Sequence, residues 1–175
     1  MNYHLIKTDD MLNGSGLRVV LYLSGCSHAC HGCHNPETWD CNSGKKFDEN
    51  AVNELLAHMK HDYISGLTLS GGDPLNENNL DGVLSLCQRV RELYGDTKTI
   101  WIYTGYRWEE LFTEWVTDKD QSSRRKIVAL CDVLVDGRFE QDKADVNYPW
   151  AGSTNQRVID IKKSLEENKV ALWLG

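Results

Sequence analysis

Apolar residues recur along the chain in two alternating periods. Leu17-Arg-Val-Val-Leu-Tyr-Leu23 is a dense branched and aromatic run of strand length, as are Thr99-Ile-Trp-Ile-Tyr103 and Val133-Leu-Val-Asp136. Gly66-Leu-Thr-Leu-Ser70 reads as a short buried strand halted by Gly71-Gly72-Asp73-Pro74, and Tyr3 to Lys7 alternates weakly as an opening strand. Between these runs the spacing changes to threes and fours. Val52, Leu55, Leu56 and Met59 form one helical stripe with Asp48 as its N-cap, and Leu80, Val83, Leu84, Leu86, Cys87 and Val90 form another. Shorter helices are expected over Trp108 to Val116 and Arg124 to Leu130. Towards the end the pattern loosens into strands at Arg157 to Ile161 and Val170 to Leu174 around a charged turn or helix at Lys162 to Asn168.

Alternating strands and helices imply parallel strands joined by helical crossovers, so the expected fold class is α/β, a single domain over residues 1–175. In such a sheet, ligands bind beyond the C-terminal ends of the strands. The residues with chemistry cluster at those ends: Cys26 to Cys33, Gly71 to Pro74, Thr104-Gly105 and Asp136-Gly137.

Composition narrows the picture. A 41% hydrophobic share suffices for a core without disulfide staples, and no apolar run approaches the ~20 residues of a membrane span. The net charge of -7 argues against a broad nucleic-acid surface, and the dense basic group Arg124-Arg125-Lys126 reads as a solvated helix face. The N-terminal residues lack the features of a secretion signal, so the expected location is cytoplasmic.

Three of the six cysteines, Cys26, Cys30 and Cys33, stand within eight residues, which is ligand spacing. Cys41 falls in a loop, and Cys87 and Cys131 read as buried hydrophobes. Thiolates suit both zinc and iron-sulfur clusters. A closed zinc site would need a fourth ligand from His28, His31 or His34, giving a non-catalytic zinc-binding interaction module. In a 4Fe-4S cluster three thiolates leave one iron open for a small molecule. Spacing alone leaves both readings standing.

The arrangement Cys26-x3-Cys30-x2-Cys33 after an early strand resembles the signature of the radical S-adenosylmethionine superfamily. Gly71-Gly72-Asp73-Pro74 resembles that superfamily's Gly-Gly-Glu motif, with Asp73 in the place of glutamate. Asn13-Gly-Ser-Gly-Leu-Arg18 is similar to the opening loop of glycyl-radical activating enzymes. Asp136-Gly-Arg-Phe139 and Gly152-Ser-Thr-Asn-Gln-Arg157 resemble segments of the anaerobic ribonucleoside-triphosphate reductase activating proteins. One departure is Gly32, which stands where an aromatic residue usually lies against adenine.

The resemblance implies an incomplete β/α barrel of the radical S-adenosylmethionine type, because the chain is shorter than the ~250 residues of a full barrel. It implies a 4Fe-4S cluster on Cys26, Cys30 and Cys33, with S-adenosylmethionine held by Gly32, Cys33, His34, Gly71, Gly72, Asp73 and Pro74. The implied partners are the large glycyl radical subunit of the anaerobic reductase and an external electron donor such as a flavodoxin. Reductive cleavage of the cofactor would give methionine and a 5'-deoxyadenosyl radical that takes a hydrogen atom from a glycine of the reductase. No acid-base dyad is needed, and none is evident in the sequence. An activase for another glycyl radical enzyme, such as pyruvate formate-lyase, is the nearest alternative within the resemblance.

Overall fold

The computed structural model describes residues 1–112 and 119–175. Seven strands form one sheet: β1 (Asn2–Asp10), β2 (Leu17–Leu23), β3 (Lys45–Lys46), β4 (Ile64–Gly71), β5 (Thr99–Tyr103), β6 (Val133–Asp136) and β7 (Arg157–Asp160). Their spatial order is β3-β1-β2-β4-β5-β6-β7. The central four, β2, β4, β5 and β6, run parallel, as the alternation of elements predicts. The edges depart from that expectation. β1 and β7 pair antiparallel with their neighbours, and so does β3 with β1, so the sheet is mixed. The short loop 11–16 turns β1 straight back into β2, and the long connection 137–156 from β6 to β7 holds only a 3-10 turn at Gln141–Lys143 and no α-helix to make a parallel crossover.

Helices α1 (Glu49–Met59), α2 (Leu80–Tyr94), α3 (Trp108–Phe112), α4 (Lys119–Ala129) and α5 (Ile161–Glu167) complete the chain. Asp48 caps α1 as expected, accepting from the backbone N–H groups of Asn50 and Ala51 at 3.1 Å each. The helix anticipated over 108–116 is described only to Phe112, and the rest of that span lies outside the described residues. α4 begins before the anticipated Arg124, at Lys119. The expected strand at 170–174 is reduced to one bridge, Leu172 opposite Ile159, and the Trp173 ring packs edge-on against Trp101 at 4.9 Å.

Strand side chains alternate between two faces. On one, Val19, Leu21 and Leu23, Leu67 and Leu69, Ile100 and Ile102, Leu134 and Ile159 pack in a single buried cluster with Leu55, Met59, Val83, Leu86, Val90 and Ile127 of the helices. Cys87 and Cys131 belong to this cluster, as expected of buried hydrophobes. The opposite face carries a smaller cluster, Trp101, Val133 and Val135, backed by Tyr103, Trp150 and Trp173.

Arg18 is also fully buried. Its guanidinium lies 5.4 Å from the Trp101 ring centroid. The basic group on α4 is less solvated than its sequence implies. Arg124 lies over the Tyr106 ring at 4.9 Å and donates to the Leu75 carbonyl, and Arg125 donates to the Leu111 carbonyl. No helix among the described residues is long and apolar enough to cross a membrane.

Candidate metal centre and cofactor cavity

A cavity of about 740 Å³ opens beyond the C-terminal ends of the parallel strands. That is within the roughly 300–1,000 Å³ of small-molecule sites. Cys26, Cys30 and Cys33 line one side, Gly71, Gly72 and Asp73 another, and Thr104, Gly105, Gly137 and Phe139 the remainder of the inner wall.

The cysteine loop leaves the end of β2 and is closed at its base by backbone pairing. Gly25 N–H donates to the Thr38 carbonyl at 2.7 Å and Cys26 N–H to that of Trp39 at 3.0 Å. A second turn joins Cys33 N–H to the Cys30 carbonyl at 3.1 Å. All three thiols are free and half-buried. Burial pushes the Cys26 thiol up to about 11, only partly opposed by the backbone N–H groups of His28 and Ala29.

The donor set suits a cluster better than a single ion. A tetrahedral zinc with bonds of about 2.3 Å draws its sulfurs to roughly 3.8 Å of each other. Among the described residues no three Cys, His, Asp or Glu side chains converge as a single-ion site. A cubane takes one thiolate on each of three irons, so its ligands line a wall and need not meet at a point. Trp39 lines the same cavity, and its buried indole N–H has no partner among the described residues, a donor suited to an electron-rich group.

The second loop is pressed backbone to backbone on the first. A Cβ at Gly72 would stand 2.6 Å from the Gly25 carbonyl oxygen, so no side chain fits there. Asp73 N–H donates to that same carbonyl at 2.7 Å. Asn79 then ties both loops together, its amide reaching the Ser24 and Asp73 carbonyls at 2.8 and 3.0 Å.

The residues expected at the cofactor fall into two groups. Cys33, His34, Gly71, Gly72 and Asp73 line the cavity. Gly32 instead packs against Gln141, and Pro74 is buried behind the loop. His34 is exposed with its ring 4.8 Å from that of Phe139. The Asp73 carboxylate is taken up by its neighbours: it accepts from Leu75 N–H, Thr104 Oγ1, Gly105 N–H and His28 Nε2. Thr104 and Gly105 were visible in the sequence only as a strand end, and His28 only as a candidate zinc ligand.

Beyond β6 the polar residues anchor loops. Arg157 bridges Asp136 and Glu109, and these two bonds, the first larger, raise its pKa. Gln156 accepts from Gly152 N–H at 2.9 Å and donates to the Gly137 carbonyl at 2.8 Å. Asn155 donates to the Arg138 carbonyl at 2.8 Å.

The thiol-lined loop over a mixed α/β sheet is that of an iron-sulfur protein, since residues 12–159 match the 4Fe-4S single cluster domain. That match decides between the two metals left open by spacing. The chain is 43% identical over 158 residues to the anaerobic ribonucleoside-triphosphate reductase-activating protein of Pasteurella multocida, covering 89% of this chain and 95% of that protein. The protein of the same name from Escherichia coli K12 is 41% identical over 165 residues, covering 93% and 100%. That of Enterobacteria phage T4 is 38% identical over 158 residues, covering 90% and 93%. The chain belongs to the family of anaerobic ribonucleoside-triphosphate reductase-activating proteins.

Proposed function

We propose that this chain activates an anaerobic ribonucleoside-triphosphate reductase by placing a radical on one of its glycines. The observation that carries this reading is the trio Cys26, Cys30 and Cys33 on one wall of a cavity in a chain aligned almost end to end with named activating proteins. Those names favour the reductase over any other glycyl radical enzyme as the target.

Cys26, Cys30 and Cys33 hold the cluster, and Gly71, Gly72 and Asp73 with Cys33 and His34 hold S-adenosylmethionine. Bound there and fed by an external reductant such as a flavodoxin, the cluster supplies the electron for reductive cleavage of S-adenosylmethionine. The chain's own part is geometric. Gly72 brings peptide groups close to the ligand, the buried Asp73 fixes that loop, and Tyr103 stiffens the floor by donating to the Trp150 carbonyl at 2.7 Å. His34 and Phe139 border the cavity, while Gly32 and Pro74 support the two loops from behind.

Residues 1–175 act as one domain, since strands from both ends of the chain share one sheet. The sheet is read as a partial β/α barrel whose helix-free face holds the cavity. Its mouth is rimmed by Met11, Leu12 and Val146, apolar side chains 68%, 77% and 101% exposed. Asp10 fixes the first two by accepting from Leu12 and Asn13 N–H, and Asp145 fixes Val146 by accepting from Asn147 N–H. Ordered turns displaying apolar residues at a cavity mouth suit the glycine-bearing segment of a partner. Reduced, unpaired thiols accord with work in the cytoplasm.

Anaerobic reconstitution tests the reading. The protein should take up iron and acid-labile sulfide in equal amounts, and adding S-adenosylmethionine should alter the paramagnetic signal of its reduced form. Mixed with reductase it should transfer a glycyl radical, and Cys26→Ala, Cys30→Ala or Cys33→Ala should each abolish the transfer. Zinc without sulfide in argon-handled protein would refute it.

A further inference from the structure

His28 lies between the first two cysteines, yet its side chain turns away from solvent and is only 5% exposed. Its Nε2 stands 2.7 Å from Asp73 Oδ2. A carboxylate only accepts, so Nε2 carries the proton and donates. The ring meets Tyr106 edge to face at 4.7 Å and 78°. Gly105 makes room for it: a Cβ there would overlap the imidazole. Three loops, after β2, β4 and β5, therefore converge on one histidine.

The segment that His28 fixes is under strain. Ala29, the next residue, has φ 47°, in the left-handed region that costs an L-residue about 1–2 kcal/mol. Such a conformation persists only where its surroundings over-determine it.

We infer that His28 is a positioning residue that latches the Cys26 to Cys30 turn onto the Asp73 loop and so sets the cysteine trio for its cluster. The inference rests on the cluster reading of Cys26, Cys30 and Cys33 and assigns His28 no contact with the reacting atoms. Through the latch, Asp73 connects the cofactor loop to the cluster loop. Its carboxylate belongs to this joint, accepting from His28, Thr104, Gly105 and Leu75. Holding the loop that carries Cys26 and Cys30 also bears on the cluster's reduction potential, since the hydrogen bonding and solvent exposure of its sulfurs are among the determinants.

The test compares His28→Phe, which keeps a packed ring and loses the donor, with His28→Gln, which keeps a donor of similar reach. Gly105→Ala displaces the imidazole without altering either partner. Each variant is reconstituted anaerobically, and three quantities are read: thermal melting of the metal-free chain, the rate of iron loss to a chelator, and the reduction potential. Partners beyond a metal's own ligands typically shift affinity by roughly 10–100-fold. Phe at 28 and Ala at 105 should accelerate iron loss within that range and shift the potential, with melting near wild type. Gln at 28 should restore most of the retention.

Wild-type retention and potential in His28→Phe would overturn the latch. Equal loss in Phe and Gln variants that also melt early would do the same, by reducing His28 to a packing residue. A wild-type chain that takes up no sulfide would instead overturn the cluster reading beneath it, whatever the variants do.

Discussion

Arg18→Met sets two large effects against each other. The guanidinium is fully buried on β2, and its five acceptors are all neutral. Nε donates to Thr68 Oγ1 at 2.7 Å, one terminal nitrogen to Ser15 O and Thr99 Oγ1 at 3.0 Å each, and the other to Leu67 O at 2.7 Å and Thr99 O at 3.0 Å. Burial pushes the group down to about 10. Against an ordinary 12.5, that is a penalty on the charged form of about 3 kcal/mol. Hydrogen bonds from a charged donor contribute about 1.5 kcal/mol or more each, so five of them outweigh the penalty by about 4 kcal/mol.

Methionine fills nearly the same length, removes the penalty, and takes a charged donor away from the Leu67 and Thr99 carbonyls. At about 2–4 °C per kcal/mol for a domain of this size, melting should fall by about 8–16 °C. Arg18→Lys keeps the charge with fewer donors in a different geometry, so it should not rescue. Calorimetry or circular dichroism on the metal-free chain measures both. A methionine variant that melts at or above wild type would refute the reasoning, showing that desolvation of the cation exceeds what its bonds return, as happens for some buried ion pairs.

Two further outcomes are expected. Burial opposes the Asp10 carboxylate, yet bonds from Lys7, Asn13 and Leu12 more than compensate and lower its pKa. Its stabilisation is therefore complete above the unfolded value of about 4 and disappears as pH falls through the lower folded value. Asp10→Asn should melt below wild type at pH 7, with the gap closing at lower pH, and a gap unchanged by acid would contradict this. At the cavity mouth, Leu12→Ser combined with Val146→Ser should raise the reductase concentration for half-maximal radical transfer by about 10-fold, taking partial burial of two such side chains as about 1.4 kcal/mol. Unchanged half-saturation would remove the rim from the interface.

The central strands and the first two long helices were legible because each buries one face, and burial imposes the period of its own backbone. Leu17 to Leu23 announced β2 even with Arg18 inside it, since the surrounding residues are apolar. The antiparallel edges were not legible, because alternation specifies a strand but not its direction. Val170 to Leu174 has strand character but contributes one bridge, its Trp173 being spent on Trp101. The cysteine trio was plain from spacing, being local. The His28 to Asp73 contact was not, because it joins residues 45 positions apart and nothing in either motif names the other. Arg124 read as solvated because its stacking partner, Tyr106, belongs to the loop after β5 and not to its own helix.

Among the described residues the helices cover one side of the sheet, and only loops and the C-terminal segment, with Trp150 and Trp173, cover part of the other. Under the proposed function, shielding of a reactive species from air and water at the open mouth falls to the docked substrate protein. Containment becomes a shared property: uncoupled cofactor breakdown should be greatest when the activase is alone and should subside once the reductase stoppers the opening.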